Sequence, residues 1–361
     1  MKSTVAFLFV LLSLIWFSCD NPSSSDKQNP FTPPEWTTID LGSVTPVRLF
    51  PHPTAGDVLF LEGHNGERNL FLKSVDCGLI WDTLFTDIES TDVLSVAFFG
   101  PGPDKMFVLG NYQEEEGGYF RSRLFASEDG GLTWGLRGEN DLATPSSIWV
   151  DPLDIDHLWL SWGSMSVICG FAESHDGGLT WTDVRTDFFA DQSRRVWEMA
   201  FEADDLSIMY VNAGDVDGHG ALLRTEDNFE SWTVLREREG AAFYFELDPR
   251  KSDQMLIVEK SGSSGDNDVI YLSDDGGVAW REVADPVDNQ EDKVEIDGVA
   301  WIGDSVYVSV DEVVWVLAVN SEMWVFNRDF SSNMSQAGLR SGADNSLYLY
   351  GLEYNGIHVY H

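Results

Sequence analysis

One stretch of eight residues limits what this chain can fold into, because it keeps returning. Ser127-Glu128-Asp129-Gly130-Gly131-Leu132-Thr133-Trp134 recurs as Ser174-His175-Asp176-Gly177-Gly178-Leu179-Thr180-Trp181. Looser copies run from Ser74 to Trp81, from Thr225 to Trp232 and from Ser273 to Trp280. The shared pattern is Ser/Thr-x-Asp-x-x-x-x-Trp, usually with Gly two residues after the Asp. An Asp so placed accepts hydrogen bonds from backbone N–H groups of its own turn. The Gly permits a positive φ, and the Trp opens the next strand and buries a large ring. Each copy therefore predicts a hairpin that carries its own lock. Asp76, Asp129, Asp176, Asp227 and Asp275 are the acceptors, and Trp81, Trp134, Trp181, Trp232 and Trp280 the anchors.

The tryptophans also set a period. Trp36, Trp81, Trp134, Trp181, Trp232, Trp280 and Trp324 are 45, 53, 47, 51, 48 and 44 residues apart. Repeats of about 40–50 residues indicate propellers or solenoids. Each interval has room for three further strand-like runs, as a four-stranded blade needs. In one interval these are Ser147–Val150, His157–Trp162 and Ile168–Ser174, before Trp181–Val184. The runs are short, β-branched and aromatic, and bounded by Gly, Pro and Asp. After the strand ending at Asn327, 34 residues supply three more runs, near Gln336–Arg340, Leu347–Tyr350 and Gly356–Tyr360. That blade lacks a fourth strand, while Trp36–Leu41 is a strand with no blade before it. The expectation is an all-β chain, residues 36–361, closed as seven blades with Trp36–Leu41 completing the last. In the sixth, Asn320-Ser321-Glu322-Met323 replaces the repeated turn, which should be shorter there.

With these turns the chain resembles the Asp-box (BNR) repeat β-propellers, which include sialidases, sortilin-type ectodomains, xyloglucanases and photosystem assembly factors. The resemblance implies a β-propeller whose boxes sit on the rim, away from the ligand face. The box carboxylates are accordingly read as structural and not catalytic.

The amino terminus reads as a targeting segment. Lys2 is followed by the apolar run Val5–Phe17, long enough for a signal-peptide core and too short to span a bilayer. Ser18-Cys19 and a polar stretch follow. This resembles a bacterial lipoprotein signal over residues 1–18, with Cys19 the lipidated residue, although Trp16 and Phe17 depart from the usual pattern. Residues 19–35 are rich in Pro and Ser and read as a disordered tether. The expected location is the cell envelope, with the membrane reached only through the lipid anchor, and a monomeric domain.

Cysteine and charge mainly exclude. Cys77 and Cys169 fall in non-neighbouring blades and are expected to be free. No Cys-x-x-Cys occurs and the seven His are scattered along the chain, so neither a metal site nor a cofactor is expected. The 22 basic against 61 acidic residues leave a net charge of −39. Such a surface repels nucleic acid and anionic membranes. The excess of Asp over Lys would suit a salty habitat. Acidic runs such as Glu114-Glu115-Glu116 and Asp285–Asp292 read as solvated loops.

Function should lie on the innermost strands, near Val47–Phe50, Leu94–Phe98, Ser147–Val150, Val196–Phe201, Phe243–Leu247, Gly298–Trp301 and Ala337–Arg340. Polar groups on or beside them are Arg48, Arg194, Arg195, Glu198, Glu246, Asp297 and Arg340. Which of these face the channel depends on register, since a one-residue slip reverses every side chain. The favoured function is a binding or scaffold module for a protein or glycan, without catalysis. The resemblance leaves two alternatives. A sialidase-type glycoside hydrolase would use Arg48, Arg195 and Arg340 to clamp a carboxylate, with Tyr350 and Glu353 as a catalytic pair. The chain departs from that family, which has six blades and an Arg-Ile-Pro motif where this sequence reads Val47-Arg48-Leu49-Phe50-Pro51. An assembly factor for a membrane complex shares the seven blades, but that family uses a basic patch that this acidic chain lacks. A xyloglucanase would need a second propeller to build its cleft.

Overall fold

The computed structural model describes residues 36–360 except 85–91, 101, 103, 114–119, 141–144, 163–169, 185–194, 203, 215–219, 239–242, 252, 262–266, 284–285, 287–293, 311–312, 320–323, 330–337, 344–345 and 351–355. All regular structure in this range is β, arranged as seven four-stranded antiparallel sheets. Six sheets use four consecutive strands each. The seventh has the order β1-β28-β27-β26, so β1 (Trp36–Asp40) lies outside β28 (Gly356–Tyr360), β27 (Leu347–Tyr350) and β26 (Gly338–Ser341). Trp36 pairs with Tyr360 and Asp40 with Gly356. The amino-terminal strand thus closes the ring, as the unpaired Trp36 run implied.

Seven buried clusters hold the ring together, and each joins two neighbouring blades. One unites Leu49, Leu59, Leu61 and Leu72 of the first blade with Tyr348, Tyr350, Ile357 and Val359 of the last. As many interfaces as blades means that no blade is terminal, and every sheet face is covered on both sides. That is why the second strands are apolar almost throughout, as in β15 (Met209–Gly214) and β19 (Met255–Glu259).

The repeated turn is the same device in each described copy. Ser127 Oγ donates to Asp129 Oδ1 at 2.9 Å and accepts from Gly131 N at 2.8 Å. Asp129 Oδ1 accepts from Thr133 N at 2.8 Å, and Thr133 Oγ1 donates to Oδ2 at 2.5 Å. Ser174, Asp176, Gly178 and Thr180 repeat the pattern. Both residues after the Asp take positive φ, 71° at Gly130 and 89° at Gly131. The fourth copy departs: Asn228 and Phe229 hold φ 50° and 69° without glycine. The Phe229 ring offsets that strain by packing on Phe171 at 5.1 Å and Trp232 at 4.8 Å. The replaced turn expected at 320–323 lies outside the described residues, as do the signal segment, Cys19 and the tether.

One expectation is corrected. Cys77 is disulfide-bonded and not free. Its partner lies outside the described residues, where the other two cysteines, Cys19 and Cys169, both fall. The distance argument covered Cys169 only. It took no account of Cys19.

Candidate functional site in the central channel

The first strand of each sheet forms the inner wall: β2 (Thr45–Pro51), β6 (Asp92–Phe99), β10 (Pro145–Asp151), β14 (Arg195–Phe201), β18 (Phe243–Leu247), β22 (Ile296–Ile302) and β26. Register now decides which side chains face inward. Leu49, Ile148, Met199, Phe245, Val299 and Leu339 occupy equivalent positions and are buried between blades. Their strand neighbours on either side share the opposite face, because side chains alternate. That face carries Arg48, Glu198, Tyr244, Glu246 and Arg340, none of them fully buried.

A β-bulge recurs near the start of β2, β6, β10, β14 and β22. In β14 it falls between Val196 and Glu198, leaving Trp197 as the extra residue, well exposed. In β22 the extra residue is Asp297. Bulges re-aim the next side chain. Just past them, Ser95 Oγ accepts from Ile148 N at 3.2 Å, and Glu198 Oε2 lies 3.5 Å from Phe245 N. Each reaches the inner strand of the following blade. At the same position in β22 stands Gly298, where a Cβ would lie 2.8 Å from Leu339 N.

Glu198, Glu246 and Arg340 come from blades four, five and seven and interact across the channel. Loss of hydration pushes the Glu198 carboxyl up to about 7, with Arg340 and the Phe245 N–H opposing. Loss of hydration, then repulsion from Glu198, pushes Glu246 up to about 8, and Arg340 again opposes. The two act as a coupled pair, so near neutral pH they hold fewer than two negative charges against one arginine. Arg340 is solvent-exposed, yet the Tyr350 phenol, the two carboxyls and the Tyr244 phenol all hold its guanidinium more firmly protonated. Its Nη1 also donates to the Leu339 carbonyl at 2.9 Å.

The other sequence candidates are placed differently. Arg48 pairs with Glu62, its neighbour on β3 (Leu59–His64), at 2.8 Å. Arg195 opens β14, but its side chain lies outside the described residues, as do Arg194 and Glu353. Tyr350 is buried. Arg340 is therefore coupled electrostatically to two glutamates, whereas Arg48 is in direct contact with one. Glu198 and Glu246 were legible as inner-strand polar groups. Their coupling to Arg340 was not, because no local signal links residues 142 and 94 positions apart.

No protein-family model matches the chain, and no curated protein does. Solved structures do match. YCF48 bound to D1 peptide is similar at 15% identity and a TM-score of 0.61, over 90% of this chain and 96% of that one. The β-propeller domain of Cps50 (Swd1) from Myceliophteria thermophila aligns at 11% identity and 0.58, over 90% and 98%. A GH74 xyloglucanase from Xanthomonas campestris gives 14% and 0.55, over 88% of this chain and 59% of the enzyme. At these identities the likeness establishes the seven-bladed β-propeller and nothing finer.

Proposed function

We propose that this chain is a lipid-anchored cell-envelope binding module of the Asp-box repeat type, which holds a protein segment or glycan against its channel wall. The observation that carries the reading is the convergence of Glu198, Glu246 and Arg340 from three blades, beside the exposed aromatic rings of Tyr244 and Trp197. Partly protonated carboxyls donate and accept hydrogen bonds, and arginine only donates. Aromatic faces add apolar contact that suits sugar rings and peptide side chains. The end-to-end likeness to a propeller bound to a peptide is in keeping with a protein ligand. The five repeated turns support the Asp-box assignment, and the sequence of residues 1–35 supports the anchor.

Peptide and glycan arrays probed with the mature domain test this. Ligands found should be lost by Glu246→Gln and by Arg340→Met, and kept by Asp129→Asn. A ligand retained by both channel variants refutes the channel reading.

The paired carboxyls favour one second reading, a glycoside hydrolase, since a protonated and an ionised carboxyl are what glycoside cleavage uses. The sialidase form would enlist Arg48, Arg195, Arg340, Tyr350 and Glu353. Incubation with a fluorogenic sialoside and with neutral aryl glycosides separates the readings. Turnover abolished by Glu198→Gln in a folded protein would replace the binding module with the enzyme.

A further inference from the structure

A second group of chemistry-bearing side chains lies on the third blade, outside the inner wall. On β11 (Asp154–Trp162), His157 and Trp159 project from one face of the sheet. Trp159 pairs with Glu173 of β12 (Gly170–Ser174), which puts Glu173 on that face too. Two residues on, His175 is the second residue of a repeated turn whose backbone Ser174 and Asp176 fix. The His157 and His175 rings stack at 4.4 Å, and Trp159 closes over His157 at 4.0 Å.

From this arrangement we infer that His157, Glu173 and His175 bind a divalent transition-metal ion of the zinc class. Their ligand atoms all lie within 4.8 Å of one another. Glu173 Oε2 stands 3.6 Å from His157 Nε2 and 3.6 Å from His175 Nε2. That is too long for a hydrogen bond. It is near the roughly 3.4 Å between two ligands that each sit about 2.0–2.1 Å from a tetrahedral zinc.

His157 supplies the independent sign. The residue is 8% exposed, and its Nε2 is buried without a hydrogen-bond partner. A buried polar atom left unpaired is costly unless something binds it. Its other nitrogen is committed: Nδ1 lies 3.0 Å from Asp151 Oδ2. Ionised Asp151 only accepts, so Nδ1 carries the proton and Nε2 turns a lone pair toward Glu173 and His175. Asp151 is itself held by the Leu153 N–H at 2.8 Å. Histidines that hold a metal commonly donate their other ring N–H to a carboxylate, which fixes the ring and its tautomer. Two imidazoles and one carboxylate suit zinc better than calcium or magnesium, which prefer oxygen. The exposed side of His175 leaves room for water as the fourth ligand.

The test uses the mature protein, stripped with chelator and titrated with zinc chloride by calorimetry. The expected result is one equivalent per chain, and cobalt(II) in its place should show the visible band of a four-coordinate ion. His175→Ala and Glu173→Gln should each weaken binding at least tenfold. Asp151→Asn, a positioning change, should weaken it by roughly 10–100-fold with circular dichroism unaltered. His175 is exposed, so its variant keeps the fold even if a change at buried His157 does not. Zinc held equally well by His175→Ala, or displaced by equimolar calcium, would assign the metal to the acidic surface and overturn the site. Absence of binding would also overturn it and leave the cluster as an ion-pair network.

Discussion

Asp176 keeps its carboxylate inside its own turn, and pH should reveal it. The Thr180 hydroxyl, then the Thr180 N–H, hold its pKa down at about 2. Hydrogen bonds depress Asp129, Asp227 and Asp275 in the same direction. An unfolded aspartate titrates near 3.9, so this stabilisation is whole above about pH 4 and lost as pH falls toward about 2. The channel carboxyls work in the opposite sense. Glu198 and Glu246 are raised from 4.5 to about 7 and about 8, so the folded state holds their protons longer than the unfolded state. Their contribution is whole below about pH 4.5 and is lost as pH rises through about 8. Glu246→Gln should therefore raise the melting temperature at about pH 9 and change it little at about pH 5. A variant that melts in parallel with wild type at both pH values would contradict the raised pKa. Gly298→Ala belongs to the same scale. Its Cβ would meet the Leu339 backbone at 2.8 Å and force two inner strands apart. Overpacking of this kind costs about 1–3 kcal/mol, measurable by urea unfolding.

The element on which closure depends is β1. It contributes five residue pairs to β28 and the buried ring of Trp36. A chain that begins at Gly42 loses that ladder and exposes β28 as an open edge, which invites pairing between molecules. It should melt well below wild type or aggregate. A chain that begins at Phe31 should melt with the full mature form. Equal melting of the two would contradict closure by the amino-terminal strand. The recurrent inner-strand bulge is the second element of consequence. It turns Ser95 and Glu198 toward the following blade, so one backbone irregularity yields a plain inter-blade contact in one place and a channel carboxyl in another.

At the scale of the whole molecule, a net charge of −39 on the chain means self-repulsion. Salt should raise the melting temperature steadily over the first few hundred millimolar, as the screening length falls to a few ångströms. A salt-independent melting temperature would show that the acids are locally balanced. Anchoring is tested by detergent partition, where wild type should enter the detergent phase and Cys19→Ala should not. The same residue bears on the Cys77 disulfide, because a lipidated Cys19 has no thiol left to form it. Intact mass before and after reduction separates a lipid adduct on Cys19 from a Cys19–Cys77 bond.

The sequence by itself determined the number of blades and the way they close. Both follow from short-range chemistry: a turn that locks itself within eight residues, a tryptophan after it, and a count of strands between copies. It named Glu198, Glu246 and Arg340 as inner-strand residues because strand order within a blade is local too. Only the tertiary structure decided which way they face. Facing depends on cross-strand register and on a bulge at Trp197 that no alternation pattern announced. It also decided which charges act on one another, since Arg340 and Glu198 are coupled electrostatically from different blades. The histidines make the same point: His157 and His175 are 18 residues apart and read as scattered, yet antiparallel pairing of β11 with β12 brings them into stacking contact. Cys77 escaped for a related reason, because its partner is set by where the chain returns in space and not by spacing along it.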